Sequence, residues 1–153
     1  MEITRSVRVE APAQRVWELV SDLPRMGELS PESAGGSWRG GATGPAVGSR
    51  LRGTNRAGWR RWSTEVTVTR CEPGSAFGFE VRALGLGVAR WDYTFEPDGA
   101  GACTVTEGWT DRRGRVMKVV GALTSGVSDR AAFTVTSIEQ TLAALKSAAE
   151  RTA

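Results

Sequence analysis

Chemistry in this chain has few places to sit, and the stretch CTVTEGW, Cys103 to Trp109, is the first of them. On the period-2 alternation of a β-strand, Cys103, Val105, Glu107 and Trp109 share one face. Three of these four residues belong in a core. The fourth is an acid, which is costly in an apolar interior unless it has a partner, water or a task. Read functionally, burial raises the proton affinity of Glu107 toward the range useful for proton transfer on a carbonyl-containing ligand. Tyr93 is then its acid partner, or a donor to a ligand carbonyl. Read structurally, Glu107 pairs with an arginine or an indole, or strand twist carries it to a rim, and Tyr93 is a core residue with its hydroxyl near the surface.

Other chemistries are closed off by composition. The 153 residues contain no histidine, which removes the commonest general base, every Ser-His or Cys-His nucleophile and the usual zinc sets. The two cysteines, Cys71 and Cys103, lack metal-ligand spacing and read as reduced, partly buried thiols, with a disulfide open only if their strands are neighbours. No glycine-rich phosphate loop is present. Neither a metal nor a cofactor is expected, so the available groups are Glu, Asp, Tyr, Arg, Cys and water.

The elements that must position these groups follow from periodicity. Residues 2 to 9 read as a strand, and Val16, Trp17, Leu19 and Val20, behind Pro12, as the apolar face of a short helix ending near Ser21. A helical turn between Pro24 and Pro31 and a short strand near Ser37 to Arg39 follow. Next comes an antiparallel meander. Leu51, Gly53 and Asn55 oppose Arg50, Arg52, Thr54 and Arg56, with a hairpin turn at Ala57-Gly58. Trp62, Thr64, Val66 and Val68 share a face, as do Phe77, Phe79 and Val81, and then Trp91, Tyr93 and Phe95. After Thr110 the glycines within Val116 to Val127 leave two readings, a gate over a cavity or a packed loop. Ser128 or Asp129 then caps a long amphipathic helix over 129 to 150, with Ala131, Val135, Ile138, Leu142, Leu145 and Ala149 on its apolar stripe.

One curved sheet cannot bury its apolar face alone, and the C-terminal helix is the element long enough to cover it. The expectation is a single α+β domain over residues 1 to 153, the helix lying across the concave face. If the apolar strand faces point inward, the lining is Leu51, Asn55, Trp62, Thr64, Phe79, Trp91, Tyr93, Glu107 and Trp109, faced by Val135, Ile138 and Leu142. The plainer reading is that these side chains simply fill a core.

Formal net charge is +3, and the one local basic cluster, Arg39, Arg50, Arg52, Arg56, Arg60 and Arg61, reads as a solvated strand face and not a nucleic-acid site. No apolar run approaches membrane-spanning length and no signal peptide opens the sequence, so a cytoplasmic protein without integral membrane association is expected.

Several segments carry a resemblance. VEAPAQRVWELVSD from Val9 to Asp22, GTNR from Gly53 to Arg56, Trp62 with CEPG from Cys71 to Gly74, WDYTFEP from Trp91 to Pro97, and Val105-Thr-Glu107 resemble the polyketide cyclase/dehydrase and lipid-transport family of the START-like (SRPBCC) superfamily. The resemblance implies the helix-grip fold, in which sheet and C-terminal helix enclose a deep cavity for an apolar ligand. It implies no single activity, because carriers and aromatase/cyclases share the fold. Three readings stay open: binding of a hydrophobic small molecule such as a lipid, polyketide or aromatic metabolite; a cyclase or dehydratase using Glu107 as acid or base; and an accessory protein acting through partner contacts, including as a homodimer.

Overall fold

The alternation between Trp62 and Val68 is realised as one long strand in the computed structural model, which describes residues 2–99, 101–127 and 129–151. Among the described residues, seven strands form one antiparallel sheet: β1 (Glu2–Val9), β2 (Ser33–Arg39), β3 (Arg50–Ala57), β4 (Arg60–Glu72), β5 (Ala76–Ala83), β6 (Leu86–Pro97) and β7 (Cys103–Asp111). Their order is β1-β7-β6-β5-β4-β3-β2, so consecutive strands are hairpin neighbours and the first strand closes against the last. Between β1 and β2 the chain crosses to the far edge through α1 (Ala13–Ser21) and a 3-10 turn over Leu23–Glu28. Two helices follow β7, α2 (Arg115–Ser125) and α3 (Arg130–Glu150). This is the α+β helix-grip fold, with α3 under the curved sheet and hollow space between them.

Local chemistry explains the joints. Leu84 and Gly85 both take positive φ between β5 and β6, as a tight hairpin whose twist matches its strands requires. Register irregularities between Val68 and Arg70 in β4 and between Val81 and Arg82 in β5 bend the sheet around the helix. Asp129 accepts from the Ala132 amide and caps α3; its companion candidate Ser128 lies outside the described residues. The segment Val116 to Val127 is not a loop. Most of it is α2, and Gly126, at φ +74°, is the left-handed residue that ends the helix, its amide bonding to the Ala122 carbonyl.

The solid part of the interior lies where α1 and the C-terminal half of α3 meet the sheet. Val9, Val16, Val20, Val68, Phe77, Phe95, Cys103, Val105, Ile138, Leu142 and Leu145 pack there, all buried. Trp17 meets Phe77 edge-on at 6.3 Å and donates its indole N–H to the Ala76 carbonyl at 2.9 Å, so a large ring is buried without an orphaned donor. One sequence expectation holds and another changes. Cys71 on β4 and Cys103 on β7 are separated by β5 and β6, and both are free thiols. In the arginine cluster, Arg56 ties β3 to the 3-10 turn through the carbonyls of Pro31 and Gly27, both at 3.2 Å, and Arg60 bonds the Leu123 carbonyl of α2.

Candidate functional site

Polarity and packing change stepwise along each strand of the inner face. On β7, Cys103 and Val105 are core, Glu107 comes next, and Trp109 follows toward the open end. On β6 the same steps are Phe95, Tyr93 and Trp91, and the register pairs Phe95 with Val105, Tyr93 with Glu107 and Trp91 with Trp109. On β4 they are Val68, Val66, Thr64 and Trp62. Beyond the solid core these steps wall two chambers.

The inner chamber, about 90 Å³, is bounded by Gly53, Asn55, Thr64, Val66, Phe79, Trp91, Tyr93 and Glu107 from the sheet, Leu23 and Met26 from the 3-10 turn, and Ser137 and Thr141 from α3. Gly53 helps keep it open, because a Cβ there would approach Thr64 Oγ1 to 3.1 Å. The outer chamber, about 310 Å³, is walled by Trp62, Val81, Val88, Trp91 and Trp109 of the sheet and by Met117, Val120 and Thr124 of α2. Asn55, Thr64, Trp91 and Glu32 border both spaces, which are therefore adjacent. The Asn55 amide donates to Thr64 Oγ1 at 3.0 Å on that shared border.

Glu107 is 2% exposed. Its Oε1 accepts a hydrogen bond from the Tyr93 hydroxyl at 2.7 Å, and its Oε2 has no partner among the described residues. Burial pushes the Glu107 carboxyl up to about 8, with the Tyr93 hydrogen bond pulling weakly the other way. Tyr93 is itself held well above the usual phenol range, by burial first and by the neighbouring acid second. At neutral pH the pair is therefore a neutral acid beside a neutral phenol, able to donate or accept but carrying no charge.

The outer rim is built differently. Arg130, which opens α3, binds Glu32 at 2.5 Å and Ser125 Oγ at 3.2 Å. Arg113 binds Asp111 at 2.9 Å, and that hydrogen bond is the main reason the Asp111 carboxyl sits below its ordinary value. Charges here are matched in pairs, both largely shielded from solvent. On its outer face α2 leaves Val116, Val119 and Leu123 exposed, and it packs chiefly against β4 and β6.

Of the residues singled out from sequence, Asn55, Trp62, Thr64, Phe79, Trp91, Tyr93, Glu107 and Trp109 all border one chamber or both. Four do not. Leu51 is buried beyond the chambers, beside a shallow surface hollow shared with Arg39, Arg50 and Arg52. Ile138 and Leu142 are fully packed core, and Val135 is half-buried away from either space. The stripe of α3 that meets the hollow is Thr134, Ser137 and Thr141. Apolar periodicity finds the face that packs, and on this helix the cavity side is small and polar. Met117, Val120, Glu32, Arg113 and Arg130 were also missed; Gly126 as a helix-ending signal offered a way to α2, whereas nothing local joins Glu32 to Arg130.

A family model described as polyketide cyclase / dehydrase and lipid transport matches residues 1–150. No curated protein sequence matches the chain at a significant level. Among solved structures, a Polyketide_cyc-like protein from Corynebacterium glutamicum shares 29% identity over 95% of this chain and 88% of its own, with a TM-score of 0.63. A START superfamily protein from Mycobacterium smegmatis superposes with a TM-score of 0.70 at 14% identity, covering 99% of both chains. The di-domain ARO/CYC BexL from the BE-7585A biosynthetic pathway matches with a TM-score of 0.68 at 21% identity, over 98% of this chain and 50% of that one.

Proposed function

The chain belongs to the polyketide cyclase/dehydrase and lipid transport family, and from that premise we propose that it is a single ligand-binding unit taking a hydrophobic small molecule, such as a lipid, polyketide or aromatic metabolite, between sheet and helices. The observation that carries the reading is the outer chamber, about 310 Å³ and walled by three indoles and aliphatic side chains, with the smaller inner chamber beside it. That volume lies at the lower end of the roughly 300–1,000 Å³ usual for small-molecule sites, which favours a compact ligand. The ligand-contacting residues in this reading are Asn55, Trp62, Thr64, Phe79, Trp91 and Trp109, joined by Thr134, Ser137, Thr141, Met117 and Val120.

Native mass spectrometry of freshly purified protein tests the proposal. A retained apolar ligand is expected; repeated ligand-free spectra, with no thermal stabilisation across a lipid and polyphenol panel, would overturn it.

A second reading is favoured by one observation, the Tyr93–Glu107 pair at 2.7 Å on the chamber wall. A carboxyl titrating near neutrality suits a general acid or base, and Tyr93 its partner, in a cyclisation or dehydration. With no histidine in the sequence and Glu32 paired with Arg130, Glu107 is the acid on which such an enzyme would draw. Glu107→Gln is then expected to abolish turnover while leaving binding in place, and unchanged turnover would remove Glu107 from the chemistry.

A further inference from the structure

A buried carboxyl with one satisfied oxygen and one bare oxygen poses a specific problem. Glu107 Oε1 is engaged by the Tyr93 hydroxyl, and Oε2 lies on the wall of the inner chamber with no partner among the described residues. Among the described residues, none of the polar side chains on that wall, Ser30, Ser33, Asn55, Thr64, Ser137 and Thr141, lies within hydrogen-bond reach of it. Thr141 donates back to the Ser137 carbonyl of its own helix at 2.8 Å, and Asn55 donates to Thr64 at 3.0 Å. A buried polar atom left unpaired destabilises the folded protein unless something else answers it.

We propose that the inner chamber is a subsite for a hydrogen-bond acceptor oxygen carried by the ligand, a ketone, aldehyde or ester carbonyl, with the Oε2–H of Glu107 as its donor. The inference rests on the reading of the hollow as a site for an apolar small molecule, and deepens it. With Oε1 accepting from Tyr93, the acid proton belongs on Oε2, the oxygen facing the chamber. The ligand body occupies the indole-walled outer chamber, and its carbonyl passes the Asn55–Thr64 border into the inner one. Tyr93 is a positioning residue: it fixes the carboxyl plane and decides which oxygen carries the proton.

Among the described residues, no neighbouring charge competes for this role. Arg5 on β1 lies opposite Glu107 in register, but its side chain is half-exposed and is turned to the Thr4 carbonyl at 2.8 Å and to Glu139 of α3 at 3.7 Å. Glu32 at the chamber edge is paired with Arg130. From α3 the chamber receives only Ser137 and Thr141, and from β3 and β4 only Gly53, Asn55, Thr64 and Val66. Tyr93 and Glu107 are therefore the titratable groups facing the subsite that are not already in an ion pair. Burial keeps the Glu107 carboxyl protonated until about pH 8, so the donor is present at neutral pH and lost above it.

Two probes of nearly one shape test the proposal, 2-acetylnaphthalene and 2-isopropenylnaphthalene, in which C=CH2 replaces C=O. At pH 6 the ketone-to-alkene affinity ratio is expected to be about tenfold higher in the wild type than in Glu107→Met, the size of one hydrogen bond formed in a dry site. In the wild type the ratio should fall as pH rises through about 8. Glu107→Gln, whose amide N–H still donates, should keep the ratio high at both ends of the range. The bound ketone's C=O stretch in wild-type protein should be lowered relative to an apolar solvent, a readout that needs no variant. Equal ratios in wild type and Glu107→Met, a pH-independent wild-type ratio or an unshifted stretch would overturn the inference. Failure of both probes to bind wild type would instead overturn the reading of the hollow on which it rests.

Discussion

From Phe77 to Leu145 the space between the sheet and α3 is filled with side chains, whereas from Glu107 out to Met117 the same sheet and the two C-terminal helices enclose open space. The backbone is similar in the two regions; the difference lies in what each element contributes. At the closed end α1 adds Val16, Trp17 and Val20, and α3 presents Ile138, Leu142 and Leu145. At the open end α3 presents Thr134, Ser137 and Thr141, β3 presents Gly53, and α2 stands over the hollow as a lid. Small side chains facing large indoles leave volume that no other element fills. Polarity divides in the same way, with matched ion pairs at the rim and a neutral acid at the inner limit, because an unpaired charge that far from water would be much more costly.

If the closed end carries the stability, truncation there should cost most. Phe77→Ala is expected to destabilise by about 3–5 kcal/mol in chemical denaturation, against about 1 kcal/mol for Trp62→Ala at the open end, where the ring is only half-buried and already borders a hollow. Equal costs would break the contrast. The next effect is pH-dependent. Because the folded protein holds the Glu107 proton more tightly than the unfolded chain does, ionisation opposes folding: no penalty below about pH 4.5, a growing one up to about 8, and a constant one above. Stability in urea should therefore fall by a few kcal/mol between pH 5 and 8, and Glu107→Gln should flatten that fall and be the more stable protein at pH 9; an unchanged slope in the variant would remove Glu107 as its source. Smaller again, Arg130→Met opens the rim pair with Glu32, whose members remain 15–18% exposed, and should cost about 1–2 kcal/mol, between the values for exposed and fully buried pairs, while speeding release of a bound apolar probe in stopped-flow fluorescence. Unaltered release would mean that the rim does not gate the hollow.

These contrasts also show what the chain declares locally. Alternation in β4 to β7 was legible because each strand buries one face, and it placed Glu107, Tyr93, Trp91 and Trp109 on the inner side. The helix was legible from its apolar stripe, but that stripe marks packing, so Ile138 and Leu142 were read as cavity wall while Thr134, Ser137 and Thr141 went unnoticed. The helix α2 was hidden by Gly121 and Gly126, which suggested a loop; Gly126 in fact ends the helix. The rim pairs were beyond local reading, since Glu32 and Arg130 meet only once the chain has crossed the whole sheet. Closure of β1 on β7 is likewise a long-range pairing with no local signature.

The division into a filled end and an open end is tested most directly by methyl NMR during titration with 2-acetylnaphthalene. Val81, Val88, Met117 and Val120 on the outer chamber and Val66 on the inner one should shift together with a single affinity, while Val16, Val20 and Leu145 stay in place. Shifts confined to the closed end, or none at all, would contradict the account.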